Sequence, residues 1–251
     1  MSQSFKRGLM ILDLFSVDRP VLTLEEIAAE LQIAPITAYR YIKVLSESGM
    51  LLFDEGKVQL SAKILRFINL FWKQDHLTTI AKEPITALAH DLNETIALCK
   101  LEGNDVICIY AVESQLPLST KYTIGNRIGI YAGSFARVIA ANLPNRKLSV
   151  IMRQTNWVPH TDKTIIDRQE FLERLKQIQR IGYDISQEEV DTGVTALAVP
   201  IKVSGQIIGS LGLGMPSVRF ESEHIPSIIG RMQEVSTQIS REAENLGIII
   251  K

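Results

Sequence analysis

The order of hydrophobic and polar residues in the first quarter of the chain predicts three helices followed by a hairpin. Apolar residues recur with a helical period in three stretches, and two short apolar runs flank the turn Asp54-Glu55-Gly56. Thr23 is suited to cap the second helix, and Pro35 and Gly49 to begin and end the third. The predicted elements are helices over about 6–15, 24–31 and 35–48 and strands over 50–53 and 57–60. This order is typical of a winged helix-turn-helix.

Beyond the hairpin, the pattern predicts a connecting helix and then a mixture of strands and helices. The stretch 61–75 reads as a helix rich in aromatic and branched residues, so we expect it to pack on another surface, such as a second subunit. Turn signals at Gly103-Asn104 and Ser204-Gly205 join neighbouring strands, which favours an antiparallel-rich α+β domain. Strands are predicted over 95–101, 106–112, 118–123, 182–185, 195–203 and 206–214, and helices over 77–92, 134–141, 146–152, 167–180 and 221–245.

Composition and charge narrow the kinds of protein that this chain can be. It has 251 residues, of which 46% are hydrophobic, and this is enough for folded cores in two domains. The formal net charge of -1 means that any contact with nucleic acid must be local. Cys99 and Cys108 lie in apolar runs, and we expect two buried thiols in a cytoplasmic protein. No apolar run is long enough to span a membrane, and the apolar tail 246–250 is either a frayed end or a strand that pairs with a partner.

The third predicted helix has an apolar stripe and an opposite polar face. Ala38, Ile42 and Leu45 share the stripe, which we expect to face the core. On the outward face, Arg40 can form two hydrogen bonds with guanine and Lys43 is placed for a phosphate. We therefore predict contacts with double-stranded DNA from Arg7, Ile36, Thr37, Tyr39, Arg40, Lys43 and Lys57. The charge through residue 73 is only +1, so specific binding is expected to need a dimer or a larger assembly.

Several segments along nearly the whole chain form an ordered set of motifs. The first part contains GLMILDLF (8–15), LEEIAAEL (24–31) and TAYRYIKVL (37–45). The second part contains YAGSFARVIAA (131–141), AVP (198–200) and MP (215–216). In this order and spacing, the segments resemble the IclR-type transcription regulators, named for the repressor of isocitrate lyase.

The resemblance implies both an architecture and a function. It implies a winged helix-turn-helix DNA-binding domain over 1–60, a connecting helix over 61–75 and a GAF-like effector-binding domain over 76–251, built on an antiparallel sheet. It also implies a homodimer or homotetramer on operator DNA, controlled by a small organic effector that often bears a carboxylate. A ligand-responsive DNA-binding regulator of this kind, either a repressor or an activator, is the leading interpretation of the chain.

The matched positions place the effector pocket at the helix after Tyr131 and on the last strands. They are Ser134, Phe135, Ser186, Val194, Ala196, Gly212 and Gly214. Where carboxylate-binding relatives carry a cysteine, two strand hydroxyls and an aspartate, this chain has Ala196, Gly212, Gly214 and Ser186. These departures argue against a glyoxylate- or pyruvate-like ligand held by the usual contacts.

The last predicted strand suggests what kind of ligand replaces the small acids. Ser210, Gly212 and Gly214 alternate and therefore share one face, where the two glycines leave space. We expect a larger, aromatic or hydrophobic carboxylate, anchored by Ser134, by Ser210 or by the N–H groups that begin the helix at Ser134. The alternative is that the glycines serve only tight packing of a helix on the sheet.

Other chemistry finds less support in the sequence. The four histidines lack metal-binding spacing, and Gly133-Ser134-Phe135 lacks the second glycine of a nucleophile elbow. We therefore predict no metal, no cofactor and no enzymatic activity. Two alternatives stay open: a small-molecule hydrolase or isomerase whose N-terminal helices form a dimerisation module, and an adaptor that binds protein through the face of Tyr39 and Arg40.

Overall fold

The computed structural model describes residues 3–247 and separates into two compact units, Met1–Gln74 and Asp75–Lys251. The helix predicted over 61–75 is grouped with the first unit, and its role as a separate connecting segment stays a prediction. Of the apolar tail 246–250, residues 248–250 lie outside the described range. Within 3–247, no helix combines the length and the apolarity needed to cross a membrane.

The first unit combines helices with a small antiparallel sheet. Its helices are α1 (Gln3–Met10), α2 (Leu24–Glu30), α3 (Pro35–Glu47) and α4 (Lys63–Gln74), and its strands are β1 (Val21–Thr23), β2 (Leu51–Asp54) and β3 (Lys57–Leu60). The strand order is β1-β3-β2, and β2 and β3 form the predicted hairpin. Glu55 and Gly56 in its turn both have positive φ, as a type I′ turn requires.

The core of this unit forms where the apolar stripe of α3 meets the neighbouring elements. The predicted stripe of Ala38, Ile42 and Leu45 is buried. It packs with Ile27 of α2 and Val58 of β3. The hydrophobic period of α3 therefore decides which of its faces remains outside.

The first predicted helix is divided in the structure. α1 ends at Met10, and a short 3₁₀ helix covers Leu12–Leu14. Leu9, expected on an apolar face, is 44% exposed, whereas Ile11 is fully buried. Since a 3₁₀ turn has three residues instead of 3.6, the later apolar positions no longer align with Leu9 on a single face.

The second unit is a six-stranded antiparallel sheet with helices packed on both faces. Its strands are β4 (Thr95–Glu102), β5 (Asp105–Val112), β6 (Arg127–Gly129), β7 (Asp184–Gln187), β8 (Val194–Val203) and β9 (Gln206–Pro216), in the order β6-β5-β4-β9-β8-β7. Its helices are α5 (His76–Leu92), α6 (Gly133–Ala141), α7 (Asn145–Gln154), α8 (Arg168–Ile181) and α9 (Ile225–Asn245). α5 and α9 cover one core, and α6, α7 and α8 the other. The predicted α+β class is confirmed.

In this unit, one predicted strand is not formed and another begins later than expected. The expected strand over 118–123 is wrong, because the chain between β5 and β6 lacks regular structure there. Its carbonyl groups accept hydrogen bonds from side chains and not from a neighbouring strand. The Thr95 hydroxyl donates to the Thr120 oxygen at 2.7 Å, and the Arg219 guanidinium donates to the Leu118 oxygen at 2.7 Å. β7 begins at Asp184 and not at Gly182, since Gly182 ends α8 with a φ of 81°.

The start of α2 provides a local test of the first unit. The Thr23 hydroxyl accepts a hydrogen bond from the Glu26 N–H at 3.2 Å, and the Glu26 carboxylate accepts one from the Thr23 N–H at 2.6 Å. This capping box occupies donors that the helix itself cannot bond. We predict that Thr23→Ala lowers the free energy of unfolding of this unit by about 1 kcal/mol. Hydrogen exchange of its amides measures the change.

Thr23→Ser is the matched control, because it keeps the capping oxygen and removes only a methyl group. It should exchange like the wild type. Equal protection of the alanine and serine variants would contradict a stabilising role for the cap.

Candidate DNA-binding and effector sites

The predicted DNA-contacting residues of α3 lie on its outer face. Ile36 is 68% exposed, Tyr39, Arg40 and Lys43 are also exposed, and Thr37 is half-buried at the edge of the face. The ring of Tyr39 stands edge-on to Phe53 of β2, with the ring centroids 6.0 Å apart. This contact fixes the outer face of α3 against the hairpin.

The two remaining candidates lie on other elements of the same unit. Lys57 is exposed at the first position of β3, next to the hairpin turn. Arg7 is exposed in the last turn of α1, which packs against α3. Helix and hairpin thus present basic side chains to solvent, while Arg7 belongs to a third element. A role in DNA contact for each of them stays a prediction.

A cavity of about 250 Å³ lies beside the sheet of the second unit, on the side of α6. Five predicted effector residues line it: Ser134, Phe135, Ser186, Val194 and Ala196. Further walls come from β4, β5, the chain that precedes β6 and the turn after β7. The structure therefore brings residues from distant parts of the sequence around one cavity.

The polar end of the cavity is the beginning of α6. Gly133 has a φ of +71°, and a Cβ there would approach Val190 to 2.8 Å, so glycine permits this close turn. Behind it, the Ser134 N–H donates to the Ser186 hydroxyl at 3.2 Å, and the two hydroxyls are 3.3 Å apart. The first turn of α6 contains no acidic residue, so its positive end favours a negatively charged group.

The two strand glycines do not line this cavity directly. A Cβ at Gly212 would overlap the ring of Phe135, and one at Gly214 would overlap the ring of Tyr122. The two rings lie 5.0 Å apart, and burial raises the pKa of Tyr122, which keeps its hydroxyl neutral. The space that the glycines leave is therefore filled by side chains of the protein, from helix α6 at Gly212 and from an irregular segment at Gly214.

Ser210 lies on the same face of β9 as the two glycines. It is fully buried and does not line the cavity. It pairs in register with Cys99 of β4. Within residues 3–247, its hydroxyl has no hydrogen-bond partner.

Sequence reasoning missed a buried charge network, one member of which, Glu189, lines the cavity. Arg137 of α6 donates to Asp184 at 2.7 Å and to Glu189 at 2.9 Å, and Arg174 of α8 also bonds to Asp184 at 2.8 Å. Burial disfavours the charged form of Arg137, but the two carboxylates outweigh it and raise the pKa of the guanidinium. A lone arginine in the apolar run FARVIAA was the signal that could have indicated it.

Other residues of the lining were also not predicted. Lys121, Tyr122 and Asp191 reach the cavity from loops, where no hydrophobic period marks them. Cys99 and Cys108 were predicted only as buried thiols, and both are buried as expected. The structure adds that both line the cavity.

Gly212 offers a direct test of the packing around the cavity. We predict that Gly212→Ala lowers the free energy of unfolding by about 1–3 kcal/mol, because the added methyl group forces the Phe135 ring out of its place. Gly230→Ala in α9 is the matched control: its Cβ meets open space, and the change should stabilise the helix by roughly 0.5–1 kcal/mol. Urea unfolding measures both. Equal stability of the two variants would show that Phe135 does not pack as described.

Comparisons with known proteins place this geometry in a family. The IclR helix-turn-helix domain matches residues 4–55, and the bacterial transcriptional regulator IclR C-terminal domain matches residues 71–241. The chain is 26% identical to the regulator KipR of Bacillus subtilis, over 94% of this chain and 95% of that protein. It is 28% identical to the p-hydroxybenzoate hydroxylase transcriptional activator of Acinetobacter baylyi, over 87% and 83%.

A solved structure shares the fold. The crystal structure of an IclR homologue from Microbacterium hydrocarbonoxydans, complexed with 4-hydroxybenzoate, has a TM-score of 0.78 and 19% identity and covers 97% of this chain and all of that one. The family is one of regulators, which decides against the hydrolase or isomerase alternative. The chain belongs to the IclR family of bacterial transcriptional regulators, and it is a DNA-binding regulator with an effector-binding C-terminal domain, not an enzyme.

Proposed function

We propose that this regulator binds operator DNA through the outer face of α3 and that an aromatic carboxylate in the cavity changes that binding. The observation that carries the proposal is the cavity itself, which combines apolar walls with the positive end of α6. Its volume of about 250 Å³ exceeds the roughly 150 Å³ of an engineered protein cavity that binds benzene. One substituted aromatic ring therefore fits.

The lining suits a ligand that has both an acceptor and a donor. Lys121 and the N–H groups of α6 favour a carboxylate, while Asp191 favours a hydrogen-bond donor such as a phenolic hydroxyl. Glu189 is held by Arg137 and so adds little free negative charge. The relative from Acinetobacter baylyi, named for p-hydroxybenzoate hydroxylase, and the homologue complexed with 4-hydroxybenzoate support the same ligand class.

On the DNA side, we assign the roles by the chemistry of each side chain. Arg40 reads a guanine in the major groove, and Ile36 and Thr37 contact neighbouring base edges or the phosphate next to them. Lys43 and Lys57 contact phosphates, as does Arg7, and these contacts carry no sequence information. We expect this regulator to act in the cytoplasm, where its operator is.

We further propose a homodimer or homotetramer. α4 has no buried residue, and Leu65 and Trp72 on it are 66% and 47% exposed. Such a surface is unusual for a monomer and favours association of two copies. Two copies also double the phosphate contacts of a weakly charged DNA-binding unit. Effector binding then shifts the population of dimer arrangements, provided that the ligand binds one arrangement more tightly.

The DNA-binding proposal predicts a loss that is confined to sequence-specific binding. Arg40→Ala should weaken operator binding at least tenfold, because a pair of hydrogen bonds to guanine contributes about 1–3 kcal/mol of discrimination per site. Arg153→Ala removes the same charge from an exposed position of α7 and is the control. Gel-shift titration at fixed salt, against the upstream region of the gene with unrelated competitor DNA, measures both. An unchanged operator affinity of Arg40→Ala would refute the assignment of α3.

The effector proposal predicts stabilisation by an aromatic acid. At a hundredfold excess over its Kd, 4-hydroxybenzoate should raise the free energy of unfolding by about 2.7 kcal/mol. Thermal unfolding with 4-hydroxybenzoate, its neutral amide and glyoxylate checks the class. Stabilisation by glyoxylate alone would exclude an aromatic acid.

A pair of variants separates the two activities. Ala196→Leu fills the cavity and should lose ligand binding while keeping DNA binding. Arg40→Ala should lose DNA binding while keeping ligand binding.

A further inference from the structure

The two cysteines of the chain face each other across adjacent strands at the wall of the cavity. Cys99 of β4 pairs in register with Cys108 of β5. Both side chains are buried, and both line the cavity. The β4–β5 hairpin alone creates this contact.

The backbone hydrogen bonds show how close the two side chains are. The Cys108 N–H donates to the Asn126 oxygen at 3.2 Å, and the Cys108 carbonyl accepts from the Gly125 N–H at 2.7 Å. Both groups therefore point away from β4, which makes Cys99 and Cys108 a non-hydrogen-bonded pair. In such pairs the Cα atoms are about 4.5 Å apart and the side chains are closest. That separation lies within the range of roughly 4.4–6.8 Å that a disulfide spans.

The two thiols are not equivalent. The hydrogen bond between them lowers the pKa of Cys108 and raises the pKa of Cys99, which burial raises further. Cys108 is thus the better nucleophile, and Cys99 is the neighbour that can close a bond with it. Lys121 lines the same cavity and favours negative charge there. On the other side of Cys99, the buried Ser210 hydroxyl can donate a hydrogen bond to an oxidised sulfur.

We propose that Cys99 and Cys108 are an oxidative modification site, which a peroxide entering the cavity converts to a reversible intramolecular disulfide. In the first step, the Cys108 thiolate attacks one peroxide oxygen: an S–O bond forms, the O–O bond breaks, and the leaving oxygen departs as water after taking up protons. In the second, the Cys99 sulfur attacks the sulfenic sulfur: the S–S bond forms, the S–O bond breaks, and the second oxygen leaves as water. Two thiols are oxidised by two electrons, and the peroxide is reduced to two waters.

The location of the bond gives it a consequence for the effector. A disulfide draws the two sulfurs to about 2.05 Å and changes the cavity wall beside the bound ligand. Oxidation and effector binding therefore compete. This consequence rests on the proposed function. In a reducing compartment such a bond is transient, as redox-sensing disulfides are.

The thiol chemistry is tested on the full-length reduced protein with hydrogen peroxide alone. Alkylation after denaturation, followed by intact-mass measurement, should show that both thiols are lost and that the mass falls by two hydrogens. Reduction with dithiothreitol should restore both. Cys99→Ala should instead leave a sulfenic acid at Cys108 that dimedone traps, and Cys108→Ala should react more slowly.

Two results would overturn the site. One is a wild type that keeps both thiols under conditions that oxidise free glutathione. The other is a disulfide that forms only between chains on a non-reducing gel. Both results are measured on the wild type, so this test does not depend on whether the variants fold.

The coupling is tested by calorimetry with 4-hydroxybenzoate on reduced and oxidised protein. Oxidation should weaken binding by about tenfold, within the usual range for coupled sites. Equal affinity of the two forms would overturn the coupling. If the reduced protein does not bind 4-hydroxybenzoate, the proposed ligand class fails, whereas the disulfide result stands on the peroxide assay.

Discussion

The second unit depends on one buried arginine. Arg137 lies on α6 with no exposed surface, and it joins that helix to Asp184 on β7 and to Glu189 in the turn after it. Arg174 of α8 adds a second cation to Asp184, so the four charges balance. Removing Arg137 and Asp184 from water costs several kcal/mol per ion, and a well-packed apolar cluster is often at least as stable. The network therefore contributes geometry: it fixes the turn that forms one wall of the cavity against the helix that forms its polar end.

Around that wall, the cavity is shaped by what fills the space next to the sheet. Gly212 and Gly214 have no side chains, and the rings of Phe135 and Tyr122 occupy the room above them. A relative with side chains on these strand positions would have to place its rings elsewhere. Two aromatic rings, one on a helix and one on an irregular segment, thus limit the space that remains in the cavity.

The first unit is subject to a simpler constraint: one face of α3 has to remain exposed to solvent. The apolar stripe of α3 is buried in the core, and on the opposite face Tyr39 makes an edge-on contact with Phe53 of the hairpin. Local signals suffice for this: a capping threonine, a proline at the start of a helix and a turn with two positive φ angles. Each acts within a few residues along the chain, so the order of elements can be inferred without a structure.

The sequence by itself determined the α+β class, the helix-turn-helix order, the buried stripe of α3 and five residues that line the cavity. These follow from periodicity, capping and turn residues, and motif order, all of which act over short distances. The strand expected over 118–123 was wrong because its carbonyls bond to Thr95 and Arg219, which are far away in sequence. For the same reason, only the tertiary structure decided that Arg137 is buried among carboxylates and that aromatic rings cover the glycines. Contacts between residues distant in the chain depend on the packing of complete elements, and a local pattern such as the lone arginine in FARVIAA does not specify the partners.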